Sequence, residues 1–188
     1  MMPKVYLVAG TPGVGKSTVA LGLASKLGGL VIELRELADP GEVEVHPAKL
    51  AARAGARIRA GGRDAVIATH IVFKPRGITV GGVVVLRRCP LRLIEELRLR
   101  GYPEEKVLEN AEAELLGVVY VEAMRRMGGG RVFQVDTTDR GVEETVELCY
   151  RALRGMWGGE EVNWVSRLEG EGRLQELLSK LSARRVGV

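Results

Sequence analysis

The residues best suited to chemistry form a glycine-rich stretch near the start of the chain, Gly10-Thr11-Pro12-Gly13-Val14-Gly15-Lys16-Ser17. It fits the pattern G-x-x-x-x-G-K-[ST], in which backbone N–H groups of a glycine-rich turn surround the phosphates of a nucleoside triphosphate. The ammonium of Lys16 suits the β- and γ-phosphates, and the hydroxyl of Ser17 suits the accompanying Mg²⁺. The stretch therefore predicts a catalytic Lys16, a metal ligand at Ser17 and ATP with Mg²⁺ as the bound species. The predicted nucleotide-binding residues are Gly13, Val14, Gly15, Lys16, Ser17 and Thr18.

The segments on either side of this stretch favour the same interpretation. Residues 4–9 form a short apolar run, which is typical of a buried parallel strand. Val19, Leu23 and Leu27 then recur at helical spacing until Gly28-Gly29 ends the run. The alternative, a glycine-rich turn that contains Lys-Ser by chance, is disfavoured because strand, loop and helix follow in the order that the motif needs.

The composition indicates a single soluble domain of 188 residues with enough apolar side chains, 46%, for a hydrophobic core. No apolar run approaches the ~20 residues of a membrane span, so we expect a cytoplasmic protein without membrane contact. The net charge of +4 suits anionic nucleotides and would also suit RNA. Many Arg, Glu, Val and Gly residues and only two asparagines are typical of a thermophile.

The alternation of strand-like and helix-like segments predicts an α/β fold of the P-loop NTPase type. We expect three α/β/α layers, with a five-stranded parallel sheet and helices on both faces. Besides the first strand and helix, strands are predicted at 30–33, 65–69, 83–86 and 132–136, and helices at 47–60, 90–100, 104–127 and 142–156. Residues 34–64 form an arm with a turn at Pro40-Gly41, and residues 71–82 are predicted to be a mobile loop.

The character of the chain changes after residue 156, so we expect a domain over 1–156 and a helical extension over 157–188. Residues 173–181 form an amphipathic helix with one leucine stripe, for which packing onto the core is favoured over binding a partner. Cys89 and Cys149 lack metal-ligand spacing and are expected to be buried and inert, although a bond between them stays open.

A second segment, Leu99-Arg100-Gly101-Tyr102-Pro103-Glu104-Glu105-Lys106-Val107-Leu108-Glu109-Asn110-Ala111-Glu112-Ala113-Glu114, is far less generic. Together with GTPGVGKST it resembles the adenylate kinase isoenzyme 6 family of archaea and eukaryotes. The resemblance covers about residues 3–150. It implies the reaction ATP + AMP ⇌ 2 ADP, an ATPase side activity and a role in maturation of the small ribosomal subunit, with a ribosomal protein or rRNA as partner.

The resemblance also assigns roles to single residues. Arg100 matches a catalytic lid arginine that approaches the nucleotide phosphates, with the lid at residues 99–109 and the acceptor-binding arm at 34–64. The lid is too short for a zinc ribbon. The alternative for Arg100 is a cation that caps a helix C-terminus. Residues 136–140 fall where the family holds adenine, and Arg140 is expected to stack on the base, unless it is an exposed loop arginine.

One position departs from the family. An aspartate is expected at the end of the third strand, two residues before a histidine, but here Ala68 precedes His70. Such a carboxylate orients Mg²⁺ through its water shell, so its absence puts metal positioning in doubt. Glu33, at the end of the second strand, is the candidate substitute. Arg35 and His70 are the candidate acceptor-binding residues, with a structural histidine as the alternative for His70.

The sequence leaves three functions open. The first is a nucleoside monophosphate kinase of adenylate type that uses ATP and Mg²⁺. The second is an ATP-dependent assembly factor for the small ribosomal subunit with weak kinase activity, and the third is a small P-loop kinase for another acceptor. A GTPase is disfavoured because no Asn-Lys-x-Asp segment is present. The oligomeric state is not predicted.

Overall fold

The computed structural model describes residues 2–39 and 46–182. The expected turn at Pro40-Gly41 and residues 183–188 of the extension lie outside this part of the chain. Within it, strands and helices alternate in the order β1 Lys4–Ala9, α1 Lys16–Leu27, β2 Leu30–Glu33, a 3₁₀ helix Leu34–Leu37, α2 Pro47–Gly61, β3 Ala65–Thr69, β4 Thr79–Arg87, α3 Pro90–Leu99, α4 Glu104–Leu115, α5 Val118–Met127, β5 Val132–Asp136, α6 Val142–Leu153, α7 Trp164–Gly170 and α8 Leu174–Ser182.

The strands of the described residues form one five-stranded parallel sheet in the order β2-β3-β1-β4-β5. The first strand is central, and its partners are β3 on one side and β4 on the other. Because all strands are parallel, their carboxyl ends meet at one edge, where ligands of such sheets bind. The predicted α/β fold is confirmed.

The two faces of the sheet are buried by different helices. One core joins Val8, Ala68 and Leu86 with apolar residues of α1, α3, α4, α6, α7 and α8. The other joins Leu7 and Ile67 with apolar residues of α2, α5 and the 3₁₀ helix. This gives the three predicted layers. Among the described helices, none combines the length and the apolar character that crossing a bilayer requires.

Strand β4 begins earlier than predicted, at Thr79 rather than Val83. The mobile loop predicted over 71–82 is therefore wrong in part, since its last four residues belong to the sheet. Gly81 and Gly82, the last residues of the predicted loop, lie within the strand and leave room for neighbouring side chains. A Cβ on Gly81 would lie 2.4 Å from the ring of Tyr6, and one on Gly82 would lie 2.6 Å from Leu153.

The single helix predicted over 104–127 is also wrong, because the structure divides it into α4 and α5. The break falls at Gly117, whose φ of 65° is left-handed. Its backbone N–H bonds the carbonyl of Glu114, 3.1 Å away, which ends α4. The turn lets α5 cross to the other face of the sheet.

The described part of the extension contains two helices, of which α7 was not predicted. Trp164 and Leu168 of α7 and Leu177 of α8 are buried in the core that faces α1. The possible disulfide between Cys89 and Cys149 is not formed in the structure. Both residues are free thiols, and both are buried. Burial raises the pKa of Cys149 to about 12, which makes its thiol inert at neutral pH.

Candidate functional site

The glycine-rich stretch forms the turn that leads from β1 into α1. Gly13 and Gly15 have φ values of 98° and 94°, a region that residues with a side chain rarely adopt. Gly13 is also confined by space, since a Cβ there would lie 2.8 Å from Leu93 and 2.9 Å from Leu97. The backbone thus requires glycine both at Gly15, a fixed position of the motif, and at Gly13, which lies between the fixed positions.

The N-terminus of α1 has the properties of an anion site. Gly15 is its N-cap, no side chain caps it, and its first turn contains no acidic residue. The first N–H groups of a helix lack intrahelical partners and carry partial positive charge. Ser17 and Thr18 are exposed here, whereas the side chain of Val14 is buried and leaves only its backbone for a ligand.

The carbonyl oxygen of Thr11 accepts two hydrogen bonds inside this turn. It accepts a bond from the Nζ of Lys16 at 2.9 Å and a longer one from the N–H of Val14 at 3.4 Å. Burial lowers the pKa of Lys16 to about 8, against the opposing effect of the carboxylates of Glu33 and Glu114. A phosphate arriving here meets a cation that lacks a full solvation shell.

A cleft of about 620 Å³ opens over the turn at the carboxyl edge of the sheet. One wall is the loop and the start of α1, the other is the turn between α3 and α4 with the start of α4, and His70 follows β3. The lining residues are Pro12, Gly13, Gly15, Lys16, Ser17, Thr18, His70, Arg100, Tyr102, Lys106, Glu109 and Asn110. The cleft thus joins the predicted residues of the loop with His70 and Arg100.

Arg100 contributes its backbone to the end of α3 and its side chain to the cleft. Its backbone N–H bonds the carbonyl of Glu96 at 3.1 Å and ends α3, while its exposed side chain lines the cleft. No ion pair with a described carboxylate holds the guanidinium. The neighbouring Arg98, by contrast, is paired with Glu104. The side chain of Arg100 is therefore available to an anionic ligand.

His70 lines the cleft together with the loop, and Ala68 lies two residues before it. Partial burial lowers the pKa of His70, and the charge of Lys16 lowers it further. A neutral imidazole can donate one hydrogen bond and accept another. Ala68 is buried and pairs with Glu33 in the register of β2 and β3, so the two side chains are on the same face of the sheet.

Arg140 and Arg35 do not line the cleft. The guanidinium of Arg140 bonds the carboxylate of Glu160 at 2.7 Å, that of Glu144 at 3.3 Å and the carbonyl of Asp136 at 2.9 Å. Its planar group is thus held by protein groups in this structure. Arg35 lies exposed on the 3₁₀ helix.

The residues present fit Mg²⁺ that arrives with a nucleotide. Among the described residues no group of three His, Cys, Asp or Glu side chains could hold a metal ion by itself. Mg²⁺ commonly takes one or two protein oxygens and completes its shell with phosphates and water. The exposed hydroxyl of Ser17 is such an oxygen, and the cleft has room for phosphates.

Sequence reasoning missed a buried polar cluster directly behind the loop. The carboxylate of Glu114 accepts hydrogen bonds from Thr11, Arg87 and Trp164, and all four side chains are nearly inaccessible. One signal was available, because Glu114 falls on the apolar stripe of α4 formed by Val107, Leu108, Ala111 and Leu115. A carboxylate at such a position needs a buried partner.

Solved structures of low sequence identity share the fold. A gluconokinase from Sinorhizobium meliloti 1021 is 20% identical with a TM-score of 0.59, and the match covers 82% of this chain and 93% of that one. An uncharacterized protein from Eubacterium ventriosum ATCC 27560 is 9% identical with a TM-score of 0.52, over 81% and 98% of the two chains. These similarities show the fold alone.

Sequence comparison is more specific. Residues 7–117 match the family model described as an AAA domain. A protein of Thermococcus onnurineus (strain NA1) named "Putative adenylate kinase" is 38% identical over 159 residues, which cover 80% of this chain and 84% of that protein. A protein of the same name from Archaeoglobus fulgidus is 32% identical over 192 residues, with 93% and 98% covered. The chain therefore belongs to the archaeal "Putative adenylate kinase" family and carries its AAA domain.

Proposed function

We propose that the protein is a nucleoside monophosphate kinase of adenylate type, which transfers the γ-phosphoryl group of ATP to AMP with Mg²⁺. The observation that carries the proposal is the cleft itself. It presents the N-terminus of α1 and Lys16 from one wall and Arg100 from the other, with His70 beside them. The names of the archaeal relatives favour the same reaction.

The chemistry needs little from the protein beyond positioning and positive charge. An oxygen of the AMP phosphate attacks the γ-phosphorus of ATP, and the bond from that phosphorus to the β-phosphate oxygen breaks, which leaves two molecules of ADP. Negative charge is spread over the equatorial oxygens of the moving group. Lys16 and the loop N–H groups neutralise the β- and γ-phosphates, and Arg100 bridges the donor and acceptor phosphates from the opposite wall.

Other residues orient the reactants. Ser17 would hold Mg²⁺, which when bound would neutralise negative charge on the phosphates of ATP. His70, neutral at pH 7, would hydrogen bond a phosphate or a water molecule. The turn between α3 and α4, within residues 99–109, acts as a short lid, and residues 34–64 act as the acceptor-binding arm with Arg35.

A second function is favoured by one observation, the buried methyl group of Ala68 at the end of β3. Without a carboxylate there, Mg²⁺ is held less firmly and transfer slows. The protein would then act mainly as a slow ATPase that drives assembly of the small ribosomal subunit, as the resemblance to the isoenzyme 6 family implies. A ribosomal protein or rRNA would be its partner.

The test is a panel of phosphate acceptors supplied to the purified protein with ATP and Mg²⁺, with ADP measured by chromatography. We expect AMP to raise ADP formation well above the rate with ATP alone, and to do so more than GMP, CMP or UMP. ADP formation that no acceptor accelerates would exclude the kinase and leave the ATPase. The Lys16→Ala variant is the control for a contaminating enzyme.

A further inference from the structure

The side chain of Glu114 stands behind the phosphate-binding turn and contacts four parts of the fold. Its Oε2 accepts the hydroxyl of Thr11 at 2.7 Å. Its Oε1 accepts the Nε of Arg87 at 2.7 Å, the indole N–H of Trp164 at 3.0 Å and the backbone N–H of Arg88 at 3.1 Å. Only 1% of Glu114 and 2% of Arg87 is exposed.

The pair formed by Glu114 and Arg87 is not a surface salt bridge. Arg87 also donates to the carbonyl of Glu114 at 2.8 Å, to the carbonyl of Val162 at 3.3 Å and to the side chain of Gln134. A buried ion pair rarely stabilises a fold more than apolar residues of the same volume would. The presence of this ion pair is therefore better explained by a role in positioning neighbouring groups than by a contribution to stability.

What it holds is the first turn of the phosphate-binding loop. Thr11 contributes two groups to this arrangement, its hydroxyl to Glu114 and its carbonyl to the Nζ of Lys16 at 2.9 Å. When phosphates bind, their oxygens compete with this carbonyl for the ammonium of Lys16. Thr11 therefore connects the ammonium of Lys16, through its carbonyl, with the carboxylate that also bonds Trp164, through its hydroxyl.

We propose that Glu114 is a positioning residue of the phosphate-binding loop, and that it couples the nucleotide on Lys16 to the extension through Trp164. The coupling rests on the proposed function, because it needs ATP on the loop. By thermodynamic linkage it acts in both directions, so the way in which α7 packs on the core also changes the affinity for ATP. The packing of α7, in the extension, then changes when the nucleotide binds.

The experiment follows the fluorescence of Trp164. The chain has two tryptophans, so Trp157→Phe leaves Trp164 as the only one. Replacing Glu114 would leave Arg87 buried without its partner and would threaten the fold. Thr11→Val is milder, since it removes one hydroxyl and keeps the ion pair. Thr145→Val is the matched control, because the hydroxyl of this buried threonine donates to the carbonyl of Gly141, the N-cap of α6, at 2.8 Å.

We expect Mg²⁺ and ATP to change the Trp164 emission of the Trp157→Phe protein, and Thr11→Val to abolish that change while Thr145→Val retains it. We also expect kcat/KM to fall by about tenfold or more in Thr11→Val, because the loop that positions the phosphates loses a contact that fixes its geometry. If calorimetry detects ATP binding but the Trp164 emission does not change, the coupling would be overturned and the proposed function would stay intact. An unaltered response in Thr11→Val would overturn it as well. Absence of ATP binding to the wild type would instead overturn the proposed function.

Discussion

The Nζ of Lys16 lies 2.9 Å from the carbonyl oxygen of Thr11, so the cation of the phosphate-binding loop bonds the loop that carries it. A carbonyl is a weaker partner for an ammonium group than a phosphate is, because it carries only a partial charge. Arriving phosphates therefore gain a cation that is already positioned and largely desolvated. This arrangement makes the binding of ATP sensitive to the protonation of Lys16.

The first prediction concerns pH. Burial lowers the pKa of Lys16 to about 8, whereas bound phosphates favour its charged form. Above pH 8 the free protein has mostly neutral Lys16 and must take up a proton to bind ATP. We expect affinity to fall by up to about tenfold per pH unit above pH 8, as one linked proton requires.

Calorimetry at pH 8.5 in two buffers of different ionisation enthalpy measures this proton uptake directly. The Lys16→Met variant, in which the titrating group is absent, should bind weakly and show no dependence on the buffer. Equal apparent enthalpies in both buffers for the wild type would contradict the assignment of the pKa to Lys16.

The second prediction concerns Arg100, whose backbone ends α3 while its side chain lines the cleft. We expect Arg100→Ala to lower kcat by about a hundredfold or more, because a guanidinium on the transferred group acts mainly in the transition state. The KM for ATP should change little, and the melting temperature should stay the same since the capping bond belongs to the backbone.

Arg98→Ala is the control for this prediction, because Arg98 has the same charge two residues earlier but is paired with Glu104 on the surface. Its steady-state kinetics should match those of the wild type. Unchanged kinetics in Arg100→Ala would leave Arg100 only a role at the end of α3, and an equal loss of activity in both variants would assign the effect to the structure of the turn.

Much of this site was predictable because it depends on local sequence. The positive φ values at Gly13 and Gly15 and the exposed start of α1 follow from residues within one turn of each other. Glu114 was not predictable in the same way, since its partners come from 26 to 103 residues away in the chain. Only the folded sheet brings them together.

The errors in the predicted strand and helix boundaries have a similar origin. Gly81 and Gly82 fall in the predicted loop, and the side chains that fill the space beside them, Tyr6 and Leu153, are distant in sequence. Gly117 falls inside the predicted helix because the apolar residues around it keep helical spacing. A glycine is ambiguous in sequence, since it can serve either a turn or a close approach, and tertiary contacts decide which.

The third prediction concerns Glu33, which pairs with Ala68 in the sheet and whose charge acts on Lys16. If its carboxylate takes over the orientation of hydrated Mg²⁺, Glu33→Gln should weaken the binding of the metal to the complex with ATP. Electron paramagnetic resonance of Mn²⁺ measures this without turnover. Glu36→Gln, three residues away, is the control. Identical Mn²⁺ affinity in the wild type and Glu33→Gln would exclude Glu33.

The fourth prediction restores the missing acid. Ala68→Asp places a carboxylate at the buried end of β3, opposite Glu33 in the register of the sheet and two residues before His70. We expect the rate of ADP formation to rise and to reach its half-maximum at lower Mg²⁺, because the metal gains a fixed partner for its water shell. Ala68→Asn, of the same shape without the charge, should not do so. Unchanged dependence on Mg²⁺ would show that another group already orients the metal.

The fifth prediction concerns α8, whose leucine stripe is expected to pack on the core rather than on a partner. Leu177 is fully buried, whereas the adjacent Leu178 is 38% exposed. Removing a buried leucine side chain costs about 2–5 kcal/mol, so Leu177→Ala should lower the free energy of unfolding by that amount, and Leu178→Ala by less than about 1 kcal/mol. Urea denaturation of the full chain gives both values. Similar small losses in the two variants would mean that α8 contributes little to the fold and that its stripe is free for a partner.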